Sequence, residues 1–159
     1  MLRKSVGKKK RTKLEDKTAR ELVKHADTWW SRYVRLRDSK PKGNKRIGVC
    51  ISCNRTLTVM EDGKWARGQC GHFVTRGIMT LRFDEENTHL QCEHCNAWRD
   101  KADMTNAYEQ AVDDWHGPGT ANKLLKASKQ DGAYKIPPKQ DLLNLIEECK
   151  AYVKERLDG

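Results

Sequence analysis

A chain of 159 residues has room for one modest domain with appendages, and 36% hydrophobic against 34% charged residues leave it a small core in need of a metal or an oligomer interface. The formal charge of +10 favours a polyanionic partner, because each neutralised phosphate releases counterions. No apolar run reaches the length of a bilayer span and no signal-type segment opens the sequence, so a cytoplasmic protein without a membrane partner is expected.

Residues 1–13 carry Arg3, Lys4, Lys8, Lys9, Lys10, Arg11 and Lys13 and no acid. Such a block repels itself and is expected to stay disordered until it meets an anion. An arm along a DNA backbone, with Lys8, Lys9, Lys10 and Arg11 as contacts, is the reading preferred to a solubilising tail.

Residues 14–38 read as one helix, since Leu22, Ala26, Trp29 or Trp30, Tyr33 and Leu36 recur at steps of three and four. The tryptophans read as packing residues rather than platforms for bases. The polar stretch Ser39-Lys40-Pro41-Lys42-Gly43-Asn44-Lys45 breaks the helix and serves as a linker. Short strands are expected around Leu57–Met60 and Gly71–Thr75, then a loop, then a helix beginning near Cys95. Thr105 to Trp115 suits a further helix stopped by Gly117-Pro118-Gly119, and residues 120–130 another. Pro137 and Pro138 introduce a last helix with Leu142, Leu145, Ile146, Cys149, Tyr152 and Val153 on one face. The chain thus divides into a basic arm (1–13), a helix and linker (14–46), a unit bearing the chemistry (47–103) and a helical part (104–159).

Cys50-Ile-Ser-Cys53 and Cys92-Glu-His-Cys95 stand 38 residues apart. Two residues between thiols let both sulfurs of a tight turn reach one ion, and two such turns close a tetrahedral structural zinc site. A redox pair or free thiols is the competing reading, and folding is linked to metal loading if zinc binds. Of the remaining cysteines, Cys149 reads as a small buried hydrophobe and Cys70 as a spectator, with a ligand to a second ion as its alternative.

The order Cys-x-x-Cys, Gly71-His72, Asn87, Cys-x-x-Cys-Asn96 resembles the HNH, or His-Me finger, nucleases. Cys50-Ile-Ser-Cys53, Gly71-His72-Phe73, Leu81-Arg82-Phe83, Glu86-Asn87-Thr88-His89-Leu90-Gln91-Cys92 and Cys95-Asn96 resemble, more narrowly, the lambdoid phage NinG (Rap) recombination nucleases. The likeness is sharpest over residues 47–100. It implies an α+β fold: a zinc-bearing ββα-metal unit flanked by N-terminal and C-terminal helices. It also implies a DNA endonuclease acting on branched recombination intermediates, D-loops and Holliday junctions, in the host cytoplasm.

Phosphodiester hydrolysis needs a base to activate water and a cation to stabilise the departing oxyanion. An imidazole with its ordinary pKa of about 6.5 suits the first task. By resemblance His72 is that base, Asn87 holds its imidazole through a side-chain or backbone hydrogen bond, and Asn96 offers its amide oxygen to Mg2+ or Mn2+. Many HNH enzymes carry an Asp or His ligand just before the base, where this chain has Gly71. His89, His94 and Asp100 are candidates for the missing ligand, and a matching histidine in NinG proteins favours His89. An ion that keeps more water, or an inactive site, are the other outcomes. His25 and His116 lie outside this frame.

Arg67, Arg76, Arg82, Arg99 and Lys101 surround the proposed site, and Arg suits phosphate because its planar fork binds two oxygens. Arg76 and Arg82 are the preferred strand contacts, with Arg99 and Lys101 behind them. A four-way junction is nearly two-fold symmetric, so a homodimer is expected. The rival function is a non-catalytic zinc module that binds nucleic acid or recruits a recombination protein.

Overall fold

The computed structural model describes residues 13–97 and 102–158, without the side chains of 102–104. The N-terminal arm (Lys8, Lys9, Lys10, Arg11) and Trp98, Arg99, Asp100 and Lys101 lie outside the described residues.

Helix α1 (Ala19–Arg37) opens on a capping box. The Glu21 N–H donates to the Thr18 hydroxyl at 3.3 Å and the Thr18 N–H to the Glu21 carboxylate at 2.9 Å. That box starts the helix at 19 rather than 14, and Leu14–Asp16 form only a 3-10 turn.

Strands β1 (Ser39–Lys42), β2 (Lys45–Val49), β3 (Thr56–Glu61) and β4 (Lys64–Trp65) follow as an antiparallel sheet in that spatial order. The stretch expected as a linker is therefore a hairpin. Only Ser39 of β1 is buried, so no alternation of apolar residues marks the strand. Gly43, at φ +59°, makes its turn. Pro41, lacking an N–H, sits on the edge strand, where a missing donor is tolerated.

A second, two-stranded sheet pairs β5 (Gln69–His72) with β6 (Thr88–Gln91), and α2 (Glu93–Ala97) follows directly. The expected loop before Cys92 thus contains a strand. Three helices complete the fold: α3 (Ala102–His116), α4 (Thr120–Ala127) and α5 (Lys139–Asp158). The class is α+β, as expected, and among the described residues no helix is long and apolar enough to cross a membrane.

The register Gly71↔His89 and His72↔Thr88 assigns the two faces of the β5–β6 pair. Cys70, His72, Thr88 and Leu90 share one face, and Gln69, Gly71, His89 and Gln91 the other. The first packs on α1 and α5: Cys70 lies against Trp30, Val34 and Cys149, and the Trp30 indole N–H donates to the Thr88 hydroxyl at 3.1 Å. The second turns toward α2 and α3.

The free edge of β6 is covered without a further strand. The Leu90 N–H donates to Asp38 (2.8 Å), the Ile51 N–H to the Leu90 carbonyl (3.0 Å), and the Arg37 guanidinium to the Thr88 carbonyl (2.6 Å). Helix α5 packs Leu142 and Ile146 against Leu22, Val23 and Ala26, and its Val153 joins the cluster holding Cys50, Cys92 and Cys95.

Leu90 is the apolar hinge between the sheets. A Cβ added at Gly48 would lie 2.3 Å from its side chain, and one at Gly68 2.6 Å, so both strand regions leave room for it. Leu90→Ala should destabilise the metal-loaded protein by about 2–5 kcal/mol, read from urea unfolding midpoints.

Candidate active site and metal centre

Four thiols from three segments converge. Cys50 directly follows β2 and Cys53 lies in the turn after it, where Asn54 takes φ +57° and its N–H donates to the Cys50 carbonyl at 2.9 Å. Cys92 follows β6 and Cys95 lies one turn on, in α2. All four ligand sulfurs lie within 4.8 Å of one another, and among the described residues this is the only group of three or more His, Cys, Asp or Glu placed to hold an ion. The spacing fits a structural metal such as zinc, as the sequence implied.

Burial raises the Cys50 and Cys95 thiols above the ordinary value. A cation among the sulfurs reverses that preference, since coordinated thiols are deprotonated. Cys70 and Cys149 stand apart from the cluster, their thiols each pushed up to about 12 by burial.

His72 closes β5, buried and only 7% exposed. Its Nε2 lies 3.0 Å from the Arg82 carbonyl oxygen. A carbonyl can only accept, so Nε2 carries the hydrogen and the Nδ1 lone pair is left as the basic atom. Burial, then the nearby Arg76 and Arg82 charges, outweigh that hydrogen bond and lower the imidazole pKa to about 4.

Asn87 does not touch the imidazole with its side chain. Fully buried, it accepts from the Val74 N–H at 2.6 Å and donates to the carbonyls of Val74 (3.0 Å) and Leu81 (2.8 Å). Its own carbonyl accepts from the Phe73 N–H at 2.9 Å. Asn87 therefore clips both ends of the loop that carries Arg82, and the Arg82 carbonyl holds the ring.

The Arg82 guanidinium is clamped as well. It forms a bidentate pair with Asp27 of α1 at 2.7 and 2.6 Å and donates to the Arg76 carbonyl at 2.6 Å. These bonds commit the fork inside the protein, whereas the Arg76 and Arg67 side chains are exposed.

On the opposite face of β5, the Asn96 amide donates to the Gln69 side-chain oxygen. His72 and Asn96 thus stand on the two sides of one strand. His89, fully buried, is engaged at both ring nitrogens: Nε2 lies 2.8 Å from Nε2 of His116 and Nδ1 lies 3.3 Å from the Tyr108 hydroxyl. His94 is exposed on α2. The pairing of His116 with His89 was invisible in a sequence where they lie 27 residues apart. Asp27, Tyr108 and Gln91 were likewise not singled out, and only Gln91 carried a signal, its alternation with His89 on β6.

A family model described as Bacteriophage Lambda NinG protein matches residues 3–156. The chain belongs to the NinG family. The match takes in both flanking helices as well as the cysteine region that first carried the resemblance. No curated protein and no solved structure matches this NinG chain.

Two outcomes follow from this geometry. Protein purified without chelator should contain one zinc per chain, and Cys95→Ser should lose most of it along with the cooperative unfolding transition, measured by metal analysis and thermal melting. The second concerns pH. His72 and His89, lowered by burial to about 4 and about 3, bind protons less readily folded than unfolded. The unfolded state protonates first as pH falls below about 6.5, so stability is intact above that value and declines toward pH 4. The limit is about 1.4 kcal/mol per pH unit for each histidine. The slope between about pH 7 and pH 5 should be shallower in His72→Gln by about one proton, and an unchanged slope excludes a buried neutral imidazole.

Proposed function

We propose that this NinG-family chain is a metal-dependent DNA endonuclease acting on branched recombination intermediates such as D-loops and four-way junctions. The observation that carries this reading is the hydrogen bond from His72 Nε2 to the Arg82 carbonyl, which leaves Nδ1 as a base already unprotonated at neutral pH.

In the proposed reaction Nδ1 of His72 takes a proton from water, and the hydroxide oxygen forms a bond to phosphorus. The Arg82 carbonyl, still accepting from Nε2–H, stabilises the positive charge that the ring acquires. The phosphate anion beside the ring raises its proton affinity from the low value of the free protein. The bond from phosphorus to the departing sugar oxygen then breaks, and water protonates that oxygen. A bound Mg2+ or Mn2+ supplies Lewis-acid stabilisation of the leaving oxyanion, and Asn96 is the ligand implied by the family resemblance.

Exposed Arg76 is assigned to the scissile strand, with Arg99, Lys101 and the basic arm along the flanking duplex. Arg82 instead positions the base. Trp115, 56% exposed with its ring against His89 and His116, offers a face for an unpaired base at a branch. Paired nicks in a symmetric junction require two such sites, hence a homodimer, with recombination proteins as further partners. Two observations favour the non-catalytic alternative: position 71 carries no ligand side chain, and His72 and Asn96 stand on opposite sides of β5.

The test is cleavage of a four-way junction by the purified, zinc-loaded protein with added Mg2+ or Mn2+. His72→Ala should lower the rate about 10²–10⁴-fold while junction affinity stays within about two-fold, because affinity rests on phosphate contacts. Wild-type cleavage no faster than that of His72→Ala would exclude the enzyme and leave the binding module. A mass measurement at assay concentration decides the dimer, and a monomer that cuts would refute it.

A further inference from the structure

The residue that replaces the ligand missing at position 71 can be read from the packing of the β5–β6 pair, on the premise of the nuclease reading above. Gly71 and Gln91 lie on the same face of that pair. A Cβ built on Gly71 would fall 2.1 Å from Oε1 and 2.7 Å from Cδ of Gln91. The Gln91 amide therefore occupies the volume that a side chain at 71 would need. An Asp or His there would require this amide to move aside.

The other end of that amide meets the metal-binding turn. Nε2 of Gln91 donates to the Ser52 hydroxyl at 2.7 Å, in the turn between Cys50 and Cys53, and Oε1 faces Gly71. Oε1 is buried in a residue only 1% exposed, and it has no hydrogen-bond partner. Apart from Arg35 Nε, it is the one such side-chain atom among the described residues. An orphaned buried carbonyl oxygen carries an unrecovered desolvation penalty of about 1–3 kcal/mol, which a hard cation would offset.

Other atoms on this face agree. Gln69, the cross-strand partner of Gln91, accepts from the Asn96 amide nitrogen, which leaves the Asn96 oxygen available. Both ring nitrogens of His89 are engaged elsewhere.

We propose that the side-chain oxygen of Gln91, with that of Asn96, ligates the hard divalent ion of the nuclease, taking the role of the acidic or imidazole ligand absent at Gly71. Both ligands are uncharged. The ion is then held largely through the phosphate of the DNA, so its affinity for the protein rises sharply once substrate is bound.

The experiment measures Mn2+ binding by electron paramagnetic resonance on the full-length, zinc-loaded protein. All proteins carry His72→Ala so that the junction DNA survives, and each is measured with and without DNA. The parent should bind Mn2+ at least about 10-fold more tightly with junction than without. Gln91→Leu should weaken binding in the ternary complex by at least about 10-fold, and Gln91→Glu, which keeps the shape, should tighten it. The pair Gly71→Asp with Gln91→Ala exchanges the two positions and should recover the affinity lost in Gln91→Ala alone. A role confined to packing would not be rescued that way.

Junction affinity without added Mn2+ and thermal melting serve as controls for folding. Unchanged Mn2+ affinity in Gln91→Leu, with wild-type protein that does cut junctions, overturns the Gln91 assignment alone. Wild-type protein that neither cuts nor binds Mn2+ on DNA overturns the nuclease reading, and the ligand assignment falls with it.

Discussion

Everything near the candidate site hangs on how β6 is held. It is a four-residue strand with one hydrogen-bonded neighbour, too little to persist by itself in water. The four-thiol cluster ties its C-terminal end to the turn after β2, while Asp38, Arg37 and Ile51 bond its open edge. With β6 fixed, β5 has a partner, and the histidine ending β5 acquires a defined direction. A chain with so thin a core achieves this with sulfur and a few buried polar bonds rather than with apolar area.

The imidazole is controlled at one remove. Asn87 makes three side-chain hydrogen bonds with the backbone at Val74 and Leu81, and the next residue along, Arg82, presents its carbonyl to the ring. The Asp27–Arg82 pair adds a tether from α1 to the same segment. This arrangement separates setting the tautomer, done by a main-chain oxygen, from holding that oxygen still, done by an amide and an ion pair. It follows that an asparagine can help orient an imidazole its side chain does not bond.

The legible parts of the fold were those with a periodic or spacing signal. The two Cys-x-x-Cys pairs announced the metal cluster, and the apolar steps of α1 and α5 announced their helices, because each pattern is local. The hairpin over residues 39–49 leaves no such pattern, because its outer strand buries only Ser39 and so shows no alternation. Strand β6 is silent in the sequence for the opposite reason: Thr88, His89, Leu90 and Gln91 are all buried, three of them polar, and period-two contrast vanishes when both faces are covered. The site suffered similarly. His72 could be singled out by its glycine and its frame. His116 and Asp27 owe their places to contacts across dozens of residues, which no spacing rule encodes. Arg82 drew notice for its charge, yet what acts on the histidine is its carbonyl, a group every residue has.

Helix α5 is the last of the described elements to leave the ribosome, and it carries Cys149 against Trp30 and Val34, and Val153 against the cysteine cluster. Until its final turns emerge, the platform beneath β5 and the wall beside the thiols are both incomplete. Domains fold as synthesis releases them, so this chain reaches its finished state late and all at once. A nascent copy stalled before residue 149 would expose the apolar side of α1 without completing the platform beneath β5, making truncated products targets for proteolysis.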